Sequence, residues 1–157
     1  MKFIDEIKAR AKQDVKTIVL PESRDKRTLI AAAQVLKEGT AKIVMVGDEE
    51  KIRDGAHWLD VELDGISVVN PETSPKLDEY VNLLYELRKK KGMTLESARE
   101  QLLNNYIMFG VMMVKCKDAD GMVAGCCHAT ADVLRPSLQI LKTAPGTELV
   151  SGFFILD

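Results

Sequence analysis

Short apolar runs separated by amphipathic stretches most restrict the folds open to this chain. The runs are 17-TIVL-20, 41-AKIVMVG-47, 66-ISVVN-70, 120-DGMVAG-125 and 148-ELVSGFFIL-156. Each is short, rich in β-branched residues and bounded by turn formers, as buried strands are. Between them lie helical patterns. In 24-RDKRTLIAAAQVLKEG-39, Leu29, Ala32, Ala33 and Leu36 share one face, and Gly39 stands where a C-cap belongs. Asp48 is placed to cap a short helix over 49-EEKIRDGA-56. In 74-SPKLDEYVNLLYELRKKKG-92, Ser74 is expected to cap, Pro75 to take the first turn and Gly92 to end the helix. Thr94 is placed to cap 95-LESAREQLL-103, and the Met-rich run 105-NYIMFGVMMVK-115 is long enough to favour helix over strand. Phe3, Ile4 and Ile7 give an N-terminal helix. Strands alternating with helices predict an α/β fold, a parallel sheet flanked by helices. In such folds ligands bind at the carboxyl ends of strands. That brings together the loops 21-PESRD-25, 47-GDEE-50, 70-NPETSP-75 and 125-GCCHATAD-132.

Charge narrows the partners. The formal net charge is −2, and the basic run 88-RKKK-91 is expected at a helix end, so nucleic acid has no basic face to engage. No apolar run is long enough to span a bilayer. The three cysteines are an odd number and no secretion signal leads the chain, which points to a reducing, cytoplasmic location.

The chemistry concentrates in 124-AGCCHATADVLRPSLQILK-142. A metal reading requires Cys126, Cys127 and His128 to converge. Consecutive residues on a strand point to opposite faces, so convergence would need a special loop. Structural zinc also prefers ligand pairs spaced by two to four residues, and neither Cys116 nor His57 supplies a matching pair. A nucleophilic cysteine meets a similar obstacle, because neighbours in sequence seldom form a thiol–imidazole pair. An anion site fits better. A small-residue loop runs into a helix that starts either at Arg135 or Pro136, or near Thr130 with the proline inside. The helix N-terminus favours phosphate. Arg135 adds a planar cationic fork and Thr130 a hydroxyl. The plainer alternative makes Thr130 or Asp132 an N-cap and Arg135 the partner of a surface ion pair.

Several stretches resemble the phosphate acetyltransferase family. They are 118-DADGMVAG-125, 130-TADVLRPSLQILKTAPG-146 and 150-VSGFF-154, together with 19-VLPESRDKRTLIAAAQVLKEGTAKIVMVG-47 and 85-YELRKKKGMTLESAREQL-102. The last of these favours the acetyl over the butyryl enzymes. The resemblance implies reversible acetyl transfer between acetyl-CoA and inorganic phosphate, giving acetyl phosphate and CoA. It also implies a two-domain α/β fold similar to isocitrate and isopropylmalate dehydrogenases, and a homodimer with the site in the interdomain cleft. Coenzyme A is then a substrate, with no cofactor and no metal required. Arg135 matches the arginine that holds the phosphate. Thr130 and His128 flank the position where the family usually carries serine and this chain has Ala129. That leaves Thr130 or His128 to polarise the carbonyl. Residues 1–147 would form most of a first domain and 148–157 the start of a second. The base that deprotonates the CoA thiol lies, by the same resemblance, in a C-terminal half outside these residues. A different class of reading is a non-catalytic module that binds acyl-CoA or phosphate ligands for regulation or assembly.

Overall fold

The computed structural model describes residues 3–151. The elements are α1 (Phe3–Gln13), β1 (Lys16–Leu20), α2 (Lys26–Glu38), β2 (Ala41–Val46), α3 (Glu49–Trp58) and β3 (Ser67–Val69). They continue with α4 (Leu77–Arg88), α5 (Leu95–Asn104), α6 (Tyr106–Lys115), β4 (Gly121–Met122) and α7 (Thr130–Ile140). The strands form one sheet in the order β3-β2-β1-β4, every pair parallel. Ile18 lies opposite Ile43 on one side and Gly121 on the other.

Strand alternation sends side chains to two separate cores. Val19, Val44 and Val46 pack with Tyr80, Phe109 and Met112 on the face covered by α4, α5 and α6. Leu20, Ile43 and Met45 pack with Leu29, Ala32 and Ile52 on the face covered by α2 and α3. Gly110 lets α6 lie close to the sheet: a Cβ there would meet Met122 Sδ at 2.8 Å and Val19 Cγ1 at 3.1 Å. Ser23 Oγ donates to the carbonyl of Val46 at 2.7 Å, which fixes the loop after β1 to the end of β2.

Most expected caps are present. Asp48 accepts from the amide of Lys51, Gly39 closes α2 at φ 66°, and Thr94 forms a reciprocal capping box with Ser97. Three expectations change. Helix α4 begins at Leu77 rather than beside Ser74, whose hydroxyl instead accepts from the Lys76 amide in the preceding turn. Strand β4 pairs over two residues only; the Val123 amide still reaches the Val19 carbonyl at 3.0 Å, and then the chain turns away. No strand forms over 148–151, and the remainder of that expected strand lies outside the described residues. In α1 none of the residues is buried, and Phe3 and Ile7 face solvent.

Candidate functional site

The strand order creates a reversal in the sheet. From β1 the chain winds outward through β2 and β3, then crosses back so that β4 lies on the other side of β1. The crevice outside the carboxyl ends of β1 and β4 is therefore the switch point, where open α/β sheets hold ligands. A cleft of about 700 Å³ opens there. It is lined from the loop after β1 by Glu22 and Arg24, from α6 by Tyr106, and from the loop and helix after β4 by His128, Asp132 and Arg135.

A buried carboxylate organises the rim. Glu22 is 5% exposed and follows β1 directly. Its Oε2 accepts from the amides of Gly125 at 2.7 Å and Cys126 at 3.0 Å. Its Oε1 accepts from the amide of Cys127 at 3.0 Å and lies 2.7 Å from His128 Nδ1. Gly125, at φ 111°, supplies the backbone turn that lets three successive amides converge. Burial alone would raise the Glu22 carboxyl. Hydrogen bonds from the His128 ring and from the Cys126 and Cys127 amides outweigh it and hold the group well below the usual carboxylate range. These loop amides thus serve an internal anion, and a ligand anion is left with the first turn of α7 and the cations of the cleft.

Helix α7 takes the longer of the two expected forms, running from Thr130 with Pro136 inside it and buried. Neither Thr130 nor Asp132 is its N-cap. That position belongs to Ala129, which has the extended backbone of a capping residue, φ −65° and ψ 150°, but no side-chain acceptor. The Asp132 amide donates to the Ala129 carbonyl at 2.9 Å, which leaves the amides of Thr130 and Ala131 and the positive end of the dipole open to an anion. Restoring a hydroxyl with Ala129→Ser should stabilise the chain by about 1 kcal/mol. Chemical denaturation would show this as a higher midpoint at unchanged slope. Arg135 sits in the second turn and reaches the cleft with Asp132. Among the described residues its guanidinium makes no ion pair, so the surface-pair alternative is not realised. Thr130 and Ala129 are exposed at the helix entry, next to the cleft lining rather than within it.

The thiols are poorly suited to nucleophilic attack. Burial, then the adjoining Glu22 carboxylate, pushes Cys127 up to about 11, and burial raises Cys126 as well. Both are protonated near neutral pH, whereas attack needs the thiolate. Cys116, at the end of α6, takes no part in this cleft. Among the described residues one set of ligand-type atoms does converge: Glu22, Cys126 and Cys127 bring an oxygen and two sulfurs within 4.8 Å of one another.

Sequence reasoning placed the loop 21-PESRD-25 near the cleft but gave Glu22 and Arg24 no role. Arg24 lies with its guanidinium carbon 6.0 Å from the Tyr106 ring centroid, a second cation at the cleft. The available signal was positional: a Pro-Glu-Ser-Arg run begins where the central strand ends.

These features define an α/β domain with a crevice at the switch point of a parallel sheet, lined by two arginines and three carboxylates. A family model described as phosphate acetyl/butaryl transferase matches residues 2–157, and the chain belongs to that family. It is 54% identical over 156 residues to the phosphate acetyltransferase of Acetivibrio thermocellus, covering 99% of this chain and 46% of that protein. Against the phosphate acetyltransferase of Thermoanaerobacterium thermosaccharolyticum the identity is 50%, covering 100% and 47%. A solved phosphotransacetylase from Streptococcus pyogenes superposes with a TM-score of 0.88 at 35% identity, over 95% of this chain and 46% of that one. The EutD phosphotransacetylase from Staphylococcus aureus gives 0.83 at 40% identity, over 93% and 44%. The chain thus spans about half the length of the relatives it matches.

Proposed function

We propose that this chain carries the phosphate-binding half of a phosphate acetyltransferase site, serving reversible acetyl transfer between acetyl-CoA and inorganic phosphate. One observation carries the reading: Arg135 stands in the switch-point cleft, without an ion-pair partner among the described residues, on a helix whose N-terminus has no side-chain cap. Arg135 binds the phosphate of acetyl phosphate through its fork. The amides of Thr130 and Ala131 at the start of the helix complete the cradle. His128 donates through Nδ1 to Glu22, so its neutral ring presents only an acceptor at Nε2, and the Thr130 hydroxyl is the donor left to polarise the acetyl carbonyl. Ala129 supplies backbone only. A thiol ionises near pH 8.5, so CoA needs a base. None of the described residues is assigned that role, and the resemblance places it in the half of the relatives that this chain does not span. The reading extends to a cytoplasmic homodimer, with residues 148–157 opening a second domain and CoA as a substrate rather than a resident cofactor.

The test is acetyl-CoA formation from acetyl phosphate and CoA. The purified chain is assayed alone and after mixing with the C-terminal half of the Acetivibrio thermocellus relative. Turnover that appears or rises at least about tenfold on mixing supports the reading. If both conditions are silent while the chain still binds phosphate, it is a ligand-binding module and the catalytic reading fails.

A further inference from the structure

The same rim holds a group of donors that acetyl transfer does not use. In the loop after β4 the chain has left the sheet, and the alternation that would separate Cys126 from Cys127 no longer applies. Both sulfurs lie within 4.8 Å of a Glu22 oxygen and of each other. Cys127 Sγ is 3.4 Å from Glu22 Oε1 and 3.6 Å from His128 Nδ1. A tetrahedral zinc ion, with bonds of about 2.3 Å to sulfur and about 2.0 Å to nitrogen or oxygen, sets sulfur–nitrogen and sulfur–oxygen edges of about 3.5 Å. One edge of such a tetrahedron, from Cys127 Sγ to Glu22 Oε1, is thus already spanned. His128 stays hydrogen-bonded to the same carboxylate through Nδ1 and orients it.

We infer that Glu22, Cys126 and Cys127 form a binding site for a thiophilic divalent cation of the zinc and cadmium class, with the fourth position open to solvent. Glu22 ligates through Oε1 and both cysteines as thiolates. Each ion therefore releases at least two protons, one from each sulfur. Two thiolates and a carboxylate bring three negative charges, and the dication leaves one. The Arg27 guanidinium, hydrogen-bonded to the Cys126 carbonyl and paired with Asp25, lies beside it. Thr28 Oγ1 lies 3.2 Å from Cys126 Sγ, placed to donate to the thiolate and orient it. Soft sulfur ligands select zinc and cadmium over magnesium or calcium.

Titration of the chain with Cd²⁺ alone, and with Zn²⁺ alone in competition with a chromophoric chelator, tests the site. Expected are one ion per chain, a thiolate-to-cadmium charge-transfer band in the ultraviolet, and affinity rising about a hundredfold per pH unit below the thiol pKa values. Cys126→Ser and Cys127→Ser should each weaken binding at least about tenfold, with Cys116→Ser unaffected. Far-UV circular dichroism confirms that each variant remains folded. No charge-transfer band, one ion shared by two chains, dependence on Cys116, or affinity indifferent to the Cys126 and Cys127 substitutions would each overturn the site.

Discussion

Replacing Arg135 with alanine should weaken binding of inorganic phosphate and acetyl phosphate by about 10- to 100-fold while leaving the melting temperature almost unchanged. The magnitude follows from a charge-assisted, two-pronged bond worth about 1.5–3 kcal/mol. The separation of binding from stability follows from the position of the side chain. Arg135 is exposed, and among the described residues it holds no fold-stabilising partner, so removal leaves no buried group unsatisfied. Isothermal titration with phosphate, beside thermal denaturation of the same samples, checks both halves. Arg135→Lys should recover only part of the affinity, because an ammonium cannot reproduce the planar fork. Equal phosphate affinity in the wild type and the alanine variant would remove Arg135 from the site.

The second large effect is the opposite kind. Glu22→Ala should cost about 3 kcal/mol of stability and lower the melting temperature by about 6–12 °C. It strips the acceptor from the amides of Gly125, Cys126 and Cys127 at once and frees the His128 ring. Glu22→Gln, which keeps one carbonyl oxygen, should lose roughly half as much. The pH dependence has a definite sign. The folded-state value of Glu22 lies below its unfolded one, so its stabilisation is fully present above the ordinary glutamate value of about 4.3. It is lost as pH falls from there toward the folded value. Wild type and variant should therefore converge in stability under acid, which urea denaturation at several pH values would reveal. A constant difference across the acid range would mean that the group contributes by packing, not by charge.

How much of this was visible in the sequence depends on the range of the interaction concerned. The strands and helices follow from local periodicity, and the caps at Asp48, Gly39 and Thr94 are contacts within one turn. The start of α7 was ambiguous because proline fits both a first turn and, at a cost, an interior position. Here Pro136 is buried in the helix interior, beside the cleft. Ser74 misled because its hydroxyl also serves an isolated turn. Arg135 was legible as a chemical type in a pattern. Glu22 was not, since its partners lie 103 to 106 residues away and no local pattern encodes them. The two sulfurs were set apart by a strand rule that ceases to apply once β4 ends at Met122.

The distance along the chain between Glu22 and its partners also bears on how the molecule comes into being. At about 5–20 residues per second, roughly 5–20 s pass during synthesis between the appearance of the carboxylate and that of the amides that receive it. The core beneath it, built from β1, α2, β2 and α3, draws on residues 20–63 and can assemble during that interval. Glu22 must remain hydrated until the later loop arrives, because burying it alone would be costly. The rim is then the last part to close and the first to open. Loss of Glu22 should speed unfolding far more than it slows folding.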